Sequence, residues 1–221
     1  MPFDTLHIAY PDAIAGVDGN GMRWTDGTHM AIGAPSPSLD QALAHATIAD
    51  IFRQAYPAGA PLTPPAKDFD PGRFRDRAVF GKLYGDCRRG EVKLVSVTWL
   101  GHAVEIAPRA AGALREVSAE IDALPPQIKR AAWPVAGTYA CRGVADKGQP
   151  SMHAYGAAID LNLAYSQYWL WDRQKGRFRW DNRMPAAIVA AFERHGFIWG
   201  GRWYHYDTMH FEYRPELLVR P

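Results

Sequence analysis

Two short stretches, far apart in the chain, alternate polar residues with large apolar ones. Asp160 lies between two aliphatic residues, and His210 and Glu212 alternate with Met209 and Phe211. A period of two is typical of a β-strand with one face in a core and the other face outside it. We therefore predict two strands whose polar faces carry Asp160 and His210.

The polar residues on these strands, with one upstream histidine, are of the types that bind a transition metal. His153 and Asp160 offer an imidazole nitrogen and a carboxylate oxygen. If His210 joins them, a metal has three protein ligands and an open position for water, which is the pattern of catalytic zinc. Zinc lowers the pKa of such a water to about 7, and a nearby carboxylate accepts its proton. Asp207, three residues before His210, is the predicted general base.

Other patterns indicate the organisation of the chain. A proline-rich stretch at 61–65 is typical of a stiff connector and favours an internal boundary. We expect an N-terminal extension of short strands, loops and helices over 1–90, packed on a domain over 91–221 that carries the predicted zinc site. Capping residues and apolar spacing predict a helix from Ser38 or Asp40 to about Tyr56, a strand from Glu91 to Trp99 and an amphipathic helix over 111–124. They also predict a helix that Asp181 or Asn182 caps, with Pro185 in its first turn and Gly196 at its end.

Composition excludes several classes of protein. The 25 Lys and Arg against 23 Asp and Glu give a formal net charge of +2, which argues against a dedicated nucleic-acid binder. No apolar run reaches about 18 residues, so no membrane span is expected, and no signal peptide is visible at the N-terminus. Cys87 and Cys141 form either one bridge or two free thiols.

The motifs together resemble a known family. Ser-x-His-x-x-Gly-x-Ala-x-Asp-x-Asn begins at Ser151, Gly-Phe-x-Trp-Gly-Gly-x-Trp begins at Gly196, and Asp-x-Met-His-Phe-Glu begins at Asp207. Over about residues 137–215 the chain resembles the M15 zinc peptidases, which include D-alanyl-D-alanine carboxypeptidases and L-alanyl-D-glutamate endopeptidases. The resemblance implies an α+β fold of the hedgehog/DD-peptidase type, an antiparallel sheet with flanking helices. Residues 70–73 also resemble a preamble of one subgroup, and we interpret them as a turn.

The resemblance also implies roles for individual residues. His153, Asp160 and His210 match the zinc ligands of the family, with one zinc per chain. Asp207 matches the acidic general base, and Arg142 matches an arginine that stabilises the polarised carbonyl. A further residue, Ser151, matches a position near the zinc that contacts substrate.

Three aromatic or charged residues around these motifs have two interpretations each. Tyr155 either contacts substrate or packs in the core, and Trp203 either packs in the core or contacts substrate in the groove. Glu212 either orients a ligand imidazole or is solvated. We interpret the remaining histidines, including His205, as surface or core residues.

The resulting hypothesis is a zinc-dependent peptidase that hydrolyses peptidoglycan stem peptides or muropeptides. It acts at either a D-Ala-D-Ala or an L-Ala-D-Glu bond, and the expected location is the cell envelope, the periplasm or the exterior if an export signal was trimmed. One alternative is a zinc-containing cell-wall or protein binding module without turnover. Another is a non-haem iron oxygenase with a two-histidine, one-carboxylate site, which the spacing of His153 and Asp160 and the extra Asp207 disfavour.

Overall fold

A computed structural model describes residues 3–19, 21–144, 149–176 and 178–219 of the chain. Its helices are α1 (Asp4–Ala9), α2 (Leu39–His45), α3 (Ile48–Ile51), α4 (Arg77–Tyr84), α5 (Pro108–Asp122), α6 (Pro126–Lys129), α7 (Trp169–Gln174) and α8 (Ala186–Arg194). Its strands are β1 (Ile14–Asp18), β2 (Gly21–Trp24), β3 (His29–Met30), β4 (Val95–Trp99), β5 (His102–Ile106), β6 (Ala158–Asp160), β7 (Phe197–Trp199) and β8 (His210–Tyr213). The mixture of helices with small antiparallel sheets confirms the α+β prediction.

The strands form three antiparallel sheets, and the third carries the predicted site. Its strand order is β6-β8-β7, so β8 lies in the centre. The register pairs Asp160 with His210 and Ala158 with Glu212. Residues directly opposite each other in an antiparallel pair project from the same face of the sheet. The register therefore brings the two predicted ligands of these strands together.

A hydrophobic core lies against the other face of this sheet. It contains buried residues of α5, α8 and the β4-β5 sheet, together with Phe211 of β8. Phe192 of α8 stacks on Phe211 with 4.0 Å between ring centroids, and the ring of Trp99 lies 5.7 Å from Phe192. This packing covers the apolar face of β8, and the opposite, polar face of the strand points toward the predicted site.

A second core joins the N-terminal part of the chain to the segment around His153. Leu6, Ile48 and Phe80 are fully buried in one cluster with Met152 and Ala157. Residues on both sides of the predicted boundary at position 90 therefore share apolar contacts.

Some predicted elements differ from those observed. The single helix predicted from Ser38 or Asp40 to about Tyr56 is wrong, because the chain forms α2 and α3 with a break at Ala46. Thr47 starts α3 with a capping box, in which its hydroxyl accepts from the Asp50 amide and its own amide donates to the Asp50 carboxylate. Further along the chain, β4 begins at Val95, later than predicted.

The two cysteines form a disulfide, with 5.6 Å between their Cα atoms. Of the two alternatives that the sequence left open, the structure has the bridge. It ties the 3-10 helix Cys87–Arg89 to the segment that carries Arg142. Within the described ranges, no helix combines the length and apolar character needed to cross a membrane.

Candidate metal centre

Three predicted ligands converge at one edge of the β6-β8-β7 sheet. His153 lies on a 3-10 helix, Met152–Tyr155, whose N-cap Ser151 accepts a hydrogen bond from the His153 amide at 3.3 Å. Gly156 follows this helix with φ +66°, a left-handed conformation that favours glycine. Asp160 ends β6 and His210 begins β8. Local capping and sheet register thus bring the three side chains to one place.

The ligand atoms lie close enough to share one ion. His153 Nε2 and His210 Nδ1 each lie 3.0 Å from Asp160 Oδ1, and 3.1 Å separates the two nitrogens. Ligand atoms about 2.0–2.1 Å from a tetrahedral zinc would be about 3.3 Å apart, so the spacing is close to what zinc requires. Two imidazole nitrogens and one carboxylate oxygen are also zinc's usual donors. The residues present therefore fit a zinc ion.

The second nitrogen of each imidazole has a hydrogen-bond partner that fixes the ring. His153 Nδ1 lies 2.6 Å from the Thr138 carbonyl oxygen, and His210 Nε2 lies 2.8 Å from Glu212 Oε2. A nitrogen that donates to an oxygen leaves the other nitrogen free to bind a metal. His153 Nε2 and His210 Nδ1 are therefore the nitrogens available to bind a metal.

Glu212 is fully buried between a ligand histidine and two arginines. Arg75 donates to both of its carboxylate oxygens, and Arg214 Nη1 lies 3.0 Å from Oε1. Burial raises the pKa of Glu212, but the positive charges of Arg75, His210 and Arg214 outweigh burial and hold it well below its usual range. Glu212 is thus a buried anion that orients His210, and it is not solvated.

The site as a whole attracts positive charge. Burial lowers the pKa of His210, but hydrogen bonds and charge from Asp160 and Glu212 raise it to about 10. Burial raises the pKa of Asp160, and His153 and His210 together lower it below its usual range. The same carboxylates favour a divalent cation, which competes with the proton for the imidazoles.

Asp207 lies in the cleft that also contains His210 and Arg142. Its amide donates to the Gly200 carbonyl at 3.0 Å, and its own carbonyl accepts from the His210 amide at 3.2 Å. Among the residues that the structure describes, none hydrogen-bonds its buried Oδ1. Burial and the charge of Asp160 raise the pKa of Asp207 to about 7, against the opposing charges of His210, Arg142 and Arg73. The carboxyl can therefore accept and release a proton near neutral pH.

Arg142 reaches the metal centre from a different segment. Its guanidinium is about half exposed, and Nη2 lies 3.9 Å from Asp160 Oδ2. Its backbone carbonyl accepts from the Ser151 amide at 3.1 Å, and the neighbouring Cys141 is in the disulfide. A fixed positive charge therefore lies beside the predicted ligands.

The comparison with protein-family models agrees with this geometry. Residues 145–213 match a peptidase M15 model described as D-alanyl-D-alanine carboxypeptidase. This match supports membership of the M15 peptidase family. No curated protein and no solved structure matches the chain. The matched stretch contains all three predicted ligand residues, together with Asp207 and Glu212, while Arg142 lies just before it.

The remaining residues predicted to contact substrate lie in different places. Ser151 and Trp203 line the cleft with His210. The Trp203 indole donates to the Pro71 carbonyl at 2.6 Å, and its ring lies 5.5 Å from the His210 ring. Tyr155 instead lines a neighbouring cavity and packs on Phe80, with 6.0 Å between ring centroids.

Several residues of the cleft were not predicted. Arg73 and Arg75 line it and are 6% and 7% exposed. Asp70, in the segment interpreted as a turn, lies 3.6 Å from Arg73 and accepts hydrogen bonds from the His205 backbone and ring. The resemblance of 70–73 to a family preamble was the available signal. Tyr168 and Trp169 also line the cleft, and no sequence motif indicated them.

Proposed function

We propose that this protein is a zinc-dependent peptidase of the M15 type that hydrolyses peptidoglycan stem peptides. The observation that carries the proposal is that one cleft contains both a set of candidate metal ligands and a carboxyl group suited to proton transfer. Three ligand atoms converge there within hydrogen-bond distance of one another. The carboxyl of Asp207, which lines the same cleft, has a pKa that burial and Asp160 raise to about 7.

His153, Asp160 and His210 would hold the zinc, which when bound supplies Lewis acidity toward water and toward the scissile carbonyl. Asp207 accepts the proton of the attacking water and then delivers it to the leaving amine. A pKa near the working pH suits a group that must do both. Arg142 places positive charge where the carbonyl oxygen becomes negative, an interaction that contributes several kcal/mol in other enzymes, about 3–4 for one donor.

We also infer that the protein works in the cell envelope or outside the cell. The proposed substrate is found there. The disulfide between Cys87 and Cys141 supports this location, because such bridges form and persist in oxidising compartments.

Metal analysis and digestion of muropeptides test the proposal together. We expect about one zinc per chain, the number that a three-ligand catalytic site holds, and loss of cleavage on chelation. Mass spectrometry of the digested muropeptides identifies the bond, D-Ala-D-Ala or L-Ala-D-Glu. Zinc-loaded wild-type protein that leaves every stem peptide intact would exclude the proposed activity.

Two variants separate metal binding from proton transfer. Asp207→Ala is expected to retain zinc and to lose cleavage, because its side chain is not among the ligands. His153→Ala is expected to lose zinc as well. His29→Ala is the matched control, since His29 is exposed on β3 and lies away from the cleft.

A further inference from the structure

A second cavity, of about 680 Å³, adjoins the metal cleft, and Arg142 lines both. This volume is in the range of small-ligand sites. Its walls are α4, the 3-10 helix Cys87–Arg89 and the segment 141–143, which the disulfide joins. We call it the basic cavity after its cationic lining residues, which are Arg77, Lys82, Arg88, Arg89 and Arg142.

Positive charge exceeds negative charge around the basic cavity. Only two carboxylates, those of Asp86 and Glu91, are among the described lining residues. Asp86 lies 3.8 Å from Arg77, and Glu91 lies 3.3 Å from Arg89. The Arg88 guanidinium makes no ion pair with any residue in the described part of the chain. The cavity therefore offers at least one arginine whose guanidinium is not held in an ion pair by the described residues.

The basic cavity and the metal cleft are adjacent because backbone contacts between residues 142–143 and 150–151 lie between them. Gly143, which lines the cavity, forms a β-bridge with Pro150. Ser151, which lines the cleft, donates its amide to the Arg142 carbonyl. A peptide in the cleft that passes over Arg142 would place neighbouring residues in the basic cavity.

We propose that the basic cavity binds a free carboxylate of the peptide substrate, away from the scissile bond, and so selects acidic stem peptides. The inference rests on the proposed function for its choice of ligand. A guanidinium suits the role, because its planar donors match a carboxylate in two parallel hydrogen bonds. Amidation of that carboxylate removes the charge and one acceptor, and the amidated peptide should bind more weakly.

Equilibrium binding tests the inference without turnover. Two synthetic peptides serve as probes: alanyl-γ-glutamyl-lysyl-alanyl-alanine with the glutamate α-carboxylate free, and the same peptide with it amidated. Both are titrated by calorimetry into zinc-loaded Asp207→Asn protein, which does not consume them. Arg88→Gln is added to this background, and Arg115→Gln, an exposed arginine on α5 outside the cavity, is the matched control.

We expect the acidic peptide to bind more tightly than the amidated one in the background protein. Arg88→Gln should raise the Kd of the acidic peptide about three- to fivefold, the size typical of a solvent-exposed ion pair. It should leave the Kd of the amidated peptide unchanged, and Arg115→Gln should change neither. High salt should remove the preference, because exposed charges are screened. Equal Kd values for the two peptides, no binding of either, or no effect of Arg88→Gln would overturn the inference.

Cleavage by the wild-type protein separates this inference from the proposed function. If zinc-loaded enzyme cleaves both peptides with equal kcat/KM and binds them equally, the peptidase activity is supported and the carboxylate-binding site is excluded. If the protein binds the acidic peptide through Arg88 and cleaves neither peptide, the carboxylate-binding site is supported and the peptidase activity is excluded.

Discussion

At the scale of single residues, Glu212 shows how a buried ion-pair network fixes the orientation of one predicted ligand, His210. This fully buried carboxylate accepts a hydrogen bond from His210 Nε2 and is held on its other side by Arg75 and Arg214. Removing the negative charge of a buried ionic group leaves its partners uncompensated, at a cost of about 3–5 kcal/mol. The position of His210 therefore depends on groups that are not among the candidate ligands.

Glu212→Gln is expected to weaken zinc binding about 10- to 100-fold, the usual effect of losing a hydrogen-bond partner of a ligand. Competition with a chromophoric chelator measures this affinity. Glu193→Gln is the matched control, because Glu193 is paired with a buried arginine, Arg202, away from the metal centre. Both variants should lower the free energy of unfolding, and only Glu212→Gln should change zinc affinity. Equal zinc affinities in the two variants would show that Glu212 acts through stability alone.

Single residues also show where sequence reasoning succeeds and where it stops. Residue chemistry and a period of two were enough to select Asp160 and His210, because β-strand geometry fixes which side chains share a face. Arg73 and Arg75 were missed, because an arginine beside a turn usually carries solvated charge. Only the folded chain shows that both are buried against Trp203, with guanidinium carbons 6.0 and 5.9 Å from its ring centroid.

At the scale of elements, the corner between α2 and α3 is controlled by one carboxylate. Apolar spacing predicted a continuous helix there. The apolar pattern continues through Thr47, so it gives no sign that this residue caps a new helix. The buried Asp50 side chain accepts hydrogen bonds from Ser36, Thr47 and Arg53. Burial raises the pKa of Asp50, but these partners outweigh it and the pKa is lowered overall.

The lowered pKa of Asp50 predicts how stability depends on pH. Because the folded protein holds the proton less tightly than the unfolded chain, the stabilisation is present above the unfolded pKa, about 3.9. It is lost as the pH falls from there through the folded pKa. Asp50→Asn should be less stable than wild type at pH 7, and the gap should shrink at about pH 3 and below. Urea unfolding at both pH values measures this, and parallel pH profiles would contradict it.

The disulfide also acts at the scale of elements, because it fixes the segment that contains Arg142. Cys87 and Cys141 are 54 residues apart, and closing a loop of that length stabilises a fold by about 4 kcal/mol in the chain-entropy model. Cys87→Ala/Cys141→Ala should unfold at lower denaturant concentration, and its kcat should fall as Arg142 loses its tether. Adding reductant should lower the stability of wild type and leave the double variant unchanged. A reductant effect of equal size in both proteins would assign the loss to something other than the bridge.

At the scale of the whole molecule, the N-terminal part of the chain contributes to the site as well as to the core. The predicted division at position 90 followed local sequence patterns, which contain no information on long-range contacts. In the structure, Arg73 and Arg75 line the metal cleft, and the carbonyl of Pro71 accepts a hydrogen bond from the Trp203 indole in the same cleft. Near the start of the chain, the Tyr10 hydroxyl donates to Glu216 Oε2 at 2.7 Å. The buried apolar cluster around Met152 also takes side chains from both parts.

These contacts predict that residues 91–221 do not form a working enzyme alone. Without residues 1–90, the fully buried Met152 and Ala157 would face water, and the cleft would lose Arg73 and Arg75. We expect the fragment to bind a hydrophobic dye, to unfold without a cooperative transition and to bind zinc weakly. Calorimetry and zinc titration against the full chain measure these properties.

Tyr10→Phe in the full chain tests the same coupling without a truncation. It deletes one buried hydrogen bond to Glu216, which keeps its ion pair with Arg214. The free energy of unfolding should fall by about 1–2 kcal/mol, the cost of leaving a buried acceptor short of a partner. Because Tyr10 lies outside the metal cleft, zinc affinity in the folded protein should not change. A Tyr10→Phe protein as stable as wild type, together with a cooperatively folding 91–221 fragment that binds zinc, would show that the two parts are energetically independent.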